Sequence, residues 1–223
     1  MSLFKDNYEN ILASIGKERV LVAVSKTKPV SDIQALYDLG HRDFGENYVQ
    51  ELTDKQQQLP DDIRWHFIGH LQSNKVKYIA PFVHLIHGVD SLKLLHEIDK
   101  QAAKNQRIIS CLLQVHIATE ETKFGLSEVE LNELINQVNL QKSTGGLPSV
   151  VIAGLMGMAS FTEDREKIHQ EFRHLKSMFD KAKINFVDKS ISILSMGMSA
   201  DYQVAIEEGS NMVRIGSLIF GAR

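Results

Sequence analysis

Short apolar runs alternate with longer amphipathic stretches along this chain, and the alternation repeats eight times. The runs are "VLVAVS" (20–25), "DFGEN" (43–47), "RWHFIG" (64–69), "VHLIHGV" (83–89), "ISCLLQVHI" (109–117), "VVIAGLM" (150–156), "ISILSM" (191–196) and "MVRIGS" (212–217). Several place β-branched and other apolar residues at consecutive positions, as parallel strands covered on both faces do. A leading helix is predicted over residues 4–15. Ser31 with Gln34 reads as a capping box before Ile33, Leu36 and Tyr37, with Gly40 as the stop. Ser127 with Glu130 repeats that device before Leu131, Leu134, Ile135 and Val138, and Ser91 reads as an N-cap before Leu92, Leu95, Ile98 and Ala102. In "SFTEDREKIHQEFRHLKSMFDKA", Ile168, Phe172, Leu175 and Phe179 form one stripe of helical period.

Eight strand–helix units in 223 residues predict an α/β fold, a (β/α)8 TIM barrel that takes up residues 1–223 as a single domain. A doubly wound sheet is the alternative, because alternation alone does not establish closure. Hydrophobic residues make up 43% and charged residues 24%, ordinary for a soluble globular protein. A net charge of −3 gives no general attraction to nucleic acid or anionic membranes. Neither an apolar 18-mer nor a signal peptide is visible. The one cysteine, Cys111, excludes an internal disulfide and a thiol-based zinc site, and reads as a buried structural thiol in "IISCLLQV". A cytoplasmic location is expected.

In such barrels the active end is the C-terminal edge of the strands, and phosphates commonly sit beside the loops after strands 7 and 8. Those loops here are "SMGMSADY" (195–202) and "RIGSLIFG" (214–221). Gly197 and Gly216 allow close backbone approach, Met198 and Ser199 follow the first glycine, and Ser217 follows the second. Lys26 falls on the same rim, at the end of strand 1. A partly desolvated amine near a phosphate cradle suggests an aldehyde cofactor with a phosphate, namely pyridoxal 5′-phosphate (PLP). An ion pair with an acid or a phosphate remains the other reading of Lys26. Lys28, past the strand end, reads as a solvated charge. Arg214, inside strand 8, could donate to a pyridine nitrogen; a phosphate contact or a salt bridge is its alternative. A guanidinium cannot take a proton from such a ring, so it disfavours the pyridinium form that makes PLP a strong electron sink.

The ordered blocks "AVSKTKP", "FGENYVQE", "WHFIGHLQSNK", "GLMGMAS", "LSMGMSADYQVAIEEGS" and "VRIGSLIFGAR" resemble the pyridoxal phosphate homeostasis protein family across residues 20–223. The resemblance implies a monomeric barrel similar to the N-terminal domain of alanine racemase, a fold type III PLP protein. It implies PLP held as an internal aldimine on Lys26, phosphate contacts at Ser199, Gly216 and Ser217, Arg214 at the ring nitrogen and Asn47 at the pocket. Position 217 is often threonine in the family, and a proline often follows the glycine of "GH" at 69–70. The implied role is intracellular vitamin B6 and amino-acid homeostasis without catalytic turnover, with PLP-requiring apo-enzymes as candidate partners. Two-base racemases of the related fold draw their second base from an additional β domain that this chain does not show. A weak PLP-dependent amino-acid racemase or decarboxylase is the alternative, and a barrel for another phosphorylated metabolite is a third.

Other residues read less sharply. His66 and His70 have i, i+4 spacing but straddle a strand end, so a metal site is not expected there; His84 and His87 read as pleat residues. Glu46 either orients a pocket group or caps the helix near Tyr48, the cap being preferred. Asn74 and Lys75 read as a solvated helix start, and Met156 and Met158 as core filler rather than a platform beneath a ring.

Overall fold

The computed structural model describes residues 3–118, 124–187 and 189–221. Eight parallel strands close into a barrel in chain order: β1 (Val20–Val24), β2 (Asp43–Glu46), β3 (Arg64–Phe67), β4 (Leu85–Val89), β5 (Ile109–Val115), β6 (Val150–Gly157), β7 (Ile193–Ser195) and β8 (Met212–Ile215). The seam is made by β1 against β8, with Val20 opposite Met212 and Ala23 opposite Ile215. The doubly wound alternative is thereby excluded.

Helices alternate with the strands: α1 (Leu3–Ile15), α2 (Val30–Asp38), α3 (Val49–Gln56), α4 (Val76–Ile79), α5 (Leu92–Lys104), α6 (Glu128–Ser143), α7 (Arg165–Asn185), α8 (Tyr202–Glu207) and α9 (Ser217–Phe220). The capping box of Ser127 and Glu130 forms in both directions, and Ser91 accepts from the Leu94 N–H. The stripe Ile168, Phe172, Leu175 and Phe179 is buried on α7. Ser31 is not a cap. Pro29, with φ −68°, occupies the N-cap, so α2 starts at Val30 and takes Ser31 into its first turn.

The core divides at the strands. The larger cluster, including Leu21, Ala23, Phe44, Trp65, Ile86 and Phe172, lies between sheet and helices. A smaller one, Val22, Leu85, Leu112, Ala153, Met156 and Met212, fills the barrel interior, so the two faces of one strand feed different clusters. Cys111 is fully buried in the outer cluster, where burial pushes its thiol up. Among the described residues no helix is long and apolar enough to cross a membrane.

Candidate functional site

Lys26 stands two residues beyond β1, half-buried on the rim, and the chain around it is held from behind. The Ser25 hydroxyl donates to Glu46 Oε1 at 2.6 Å. Lys55 Nζ donates to the same Oε1 at 2.8 Å, to Glu51 Oε1 at 2.7 Å and to the Ser25 carbonyl at 2.8 Å. Thr27 adopts φ +64°, unusual for a β-branched residue, and its N–H donates to Glu51 Oε1 at 2.6 Å. The turn carrying Lys26 is therefore pinned through its backbone. Glu46 is fully buried, and burial raises its carboxyl above the ordinary range despite the Lys55 and Ser25 hydrogen bonds. It does not cap α3, whose N-cap is Tyr48; of its two readings, orienting a pocket group is the one the geometry carries. Lys28 also differs from expectation. Its Nζ donates to the carbonyls of Phe220 and Gly221 at 3.1 and 3.2 Å, tying the Lys26 turn to the end of α9.

Across the seam, the loops after β7 and β8 touch. The Gly216 N–H donates to Ser199 Oγ at 3.3 Å, and the Arg214 N–H to the Gly197 carbonyl at 3.0 Å. The Met198 N–H donates to Asp201 Oδ1 at 2.6 Å, which sets the turn before Ser199. Space requires the first glycine and is tight at the second. Gly197 has φ +96°, and a Cβ there would stand 2.6 Å from Ala205 Cβ; a Cβ at Gly216 would meet the Val24 carbonyl at 3.0 Å.

Arg214 is buried beneath these loops, with Nη1 donating to the Ser195 carbonyl (2.9 Å) and Ser195 Oγ (2.6 Å), and Nη2 to the Gly157 carbonyl (3.0 Å). Burial lowers its pKa to about 10, against the opposing charge of Asp201, so it stays a cation at neutral pH. All seven residues singled out in the sequence, Lys26, Asn47, Met198, Ser199, Arg214, Gly216 and Ser217, line one cavity of 1310 Å3 at the C-terminal end of the strands. Asn47 Oδ1 is buried without a hydrogen-bond partner among the described residues.

The family model described as alanine racemase, N-terminal domain, matches residues 1–223. The pyridoxal phosphate homeostasis protein of Aquifex aeolicus is 42% identical over 204 residues, covering 91% of this chain and 86% of that protein. The Escherichia coli protein of the same name is 37% identical over 211 residues, covering 93% and 87%. The chain belongs to the pyridoxal phosphate homeostasis protein family. Among solved structures, PipY of Synechococcus elongatus with PLP bound superposes with a TM-score of 0.88 at 30% identity, covering 98% of this chain and 100% of that one. Alanine racemase of Streptomyces lavendulae superposes at 0.82 with 15% identity over 57% of its chain, a likeness of fold.

Within this family fold several secondary readings find their places. His66 is engaged by Asp43 and His87, and His70 stacks on Phe124 with ring centroids 5.0 Å apart. Among the described residues no group of three ligand-type side chains could hold a metal ion. Met156 packs in the interior cluster, as core filler would, whereas Met158 reaches the cavity wall. Lys75 ends a 3₁₀ turn before α4 and lies over the Tyr78 ring. The polar partners behind the site, Ser25, Lys55, Ser195 and His87, were not singled out as site residues. Strand alternation was the available signal: Ser195 and His87 keep the parity of inward-facing Ile193 and Leu85.

Proposed function

We propose that this protein binds PLP and serves intracellular PLP homeostasis as a cytoplasmic monomer without catalytic turnover. Lys26 holds the cofactor covalently: its Nζ forms a carbon–nitrogen double bond with the aldehyde carbon, and the oxygen leaves as water. Ser199, Gly216 and Ser217 hold the phosphate, Met198 and Asn47 border the ring, and Arg214 lies at the ring nitrogen. When bound, PLP supplies an electrophilic carbon that captures amines.

The observation that carries this reading is the convergence of an amine, a buried arginine and two abutting glycine–serine loops on one cavity. The relatives named for PLP homeostasis and the PLP-bound PipY structure support it. Absence of turnover is supported by how three of the lining groups are engaged. Lys28 is tied to the α9 carbonyls, Asp201 to the Met198 N–H, and the Tyr202 hydroxyl lies 3.1 Å from Ser14 Oγ. Arg214 keeps its own proton and gives the ring nitrogen none.

Borohydride reduction followed by peptide mapping tests the covalent step. A visible chromophore that is bleached, with the label on Lys26, is expected; an unlabelled Lys26 refutes the linkage. Turnover is tested separately by deuterium exchange at the α-carbon of a panel of amino acids. Exchange on the order of 1 s⁻¹ or faster would make the protein an enzyme.

A further inference from the structure

The barrel interior contains a line of polar side chains that the cofactor site does not account for. Arg214 Nη1 lies 2.6 Å from Ser195 Oγ, which lies 3.3 Å from His87 Nδ1. His87 Nε2 is 3.0 Å from His66 Nδ1, and His66 Nε2 is 3.1 Å from Asp43 Oδ1. Five strands, β8, β7, β4, β3 and β2, each contribute one member. Arg64 pairs with Asp43 at the outer end.

The chemistry of the two ends orders every proton between them. Starting from Arg214, a guanidinium only donates, so Ser195 Oγ is an acceptor and its own proton is available for His87. Starting from Asp43, burial works against the charge, but hydrogen bonds from Arg64 and His66 prevail and hold the carboxyl well below its ordinary range. A carboxylate only accepts, so His66 carries its proton on Nε2. Burial lowers the pKa of both histidines, leaving neutral rings with one N–H each. His66 Nδ1 is then bare and accepts from His87 Nε2–H, and His87 Nδ1 is bare and accepts from the Ser195 hydroxyl. Both ends demand the same direction.

We propose that Arg214, Ser195, His87, His66 and Asp43 form a single proton-ordered relay, in which Ser195, His87 and His66 are positioning residues that hold the guanidinium in place for the ring nitrogen. The part concerning the ring rests on the PLP reading above. The three acceptors that hold Arg214, Ser195 O, Ser195 Oγ and Gly157 O, are neutral. The relay links this buried cation to a carboxylate through polarised hydrogen bonds.

Two-bond nitrogen–proton NMR of the full chain without cofactor reads the relay directly. His66 and His87 are expected as neutral Nε2–H tautomers; an Nδ1–H form or a charged ring at either position overturns the ordering. For positioning, PLP is titrated into His87→Leu, His87→Gln and Ser195→Ala, each checked for a cooperative melt. His87→Leu and Ser195→Ala are expected to shift the bound cofactor's absorption band and weaken PLP binding about tenfold. Glutamine, which can accept and donate, is expected to restore most of both. Wild-type spectra and affinity in folded Leu or Ala variants, or no rescue by glutamine, overturn the positioning role. Should borohydride leave Lys26 unlabelled, the PLP reading falls while the NMR measurement still decides the relay.

Discussion

Two buried polar networks flank the cavity, and they act on different parts of their clients. Behind Lys26, Ser25, Glu46, Lys55 and Glu51 grip the main chain: the Ser25 carbonyl and the Thr27 N–H are held, and the lysine side chain extends from a fixed turn. Beneath Arg214, the partners grip the side chain itself, at Nη1 and Nη2. The difference follows the tasks proposed for the two cations. An amine that must form and break a bond needs a fixed base and a mobile stem, whereas a guanidinium that only orients a ring nitrogen needs a fixed head.

The sharpest way to separate the two is to delete the amine. Lys26→Ala is expected to abolish borohydride-trapped label entirely while leaving a cooperative melt, because the residue stands half-buried on the rim and the turn that carries it is held through its backbone. Loss of that melt would make Lys26 structural. Removing the cation of the network itself is expected to do the opposite. Lys55→Ala leaves Glu46 buried and charged without its counter-ion, and urea unfolding should show a loss of about 3–5 kcal/mol.

Acid is expected to distinguish the networks by sign. On the Arg214 side, burial lowers His66 and His87 below the ordinary 6.5. It also lowers His41, whose Nε2 lies 2.8 Å from the Asp43 carbonyl oxygen, to about 4. The unfolded chain takes up these protons first, so stability falls as pH drops below 6.5, His41 alone contributing on the order of 3 kcal/mol. On the Lys26 side, the Glu46 carboxyl is raised above 4.5, so the cost of its buried charge fades as pH falls toward that value. Urea midpoints between pH 7 and 5 should therefore decline more steeply in Glu46→Gln and more gently in His87→Gln. A tilt in the same direction for both would abolish the distinction. Smallest is Ser25→Ala, which removes one charge-assisted hydrogen bond and should cost about 1.5–3 kcal/mol with trapping at Lys26 retained.

Much of this architecture was legible because it is local. Strand cores, the Ser127–Glu130 box and the α7 stripe depend on neighbours within a few positions, and their boundaries moved by two residues or fewer. Ser31 misled because Pro29 two positions earlier sets the dihedral that starts the helix. The cavity-lining residues at 26, 199, 214, 216 and 217 were legible as glycine–serine loops and cations at strand ends, features of short range placed by barrel order, whereas Asn47 came from the family resemblance alone. Glu46 was misjudged because its partners meet it through α3 packing and β1–β2 pairing, and Lys28 because closure brings the α9 carbonyls to it. The relay was missed for the same reason: Ser195 and His87 are 108 positions apart in sequence and meet only across the interior.

The ammonium of Lys28 gives the barrel seam a second fastening. Backbone pairing zips β1 to β8 from Val20–Met212 up to Ala23–Ile215, and above the zip one cation moors the opening turn to the final helical residues. A cylinder sewn shut only along its strands would gape first at its mouth. Here the mouth is laced as well, by two hydrogen bonds from one ammonium above the last paired residues.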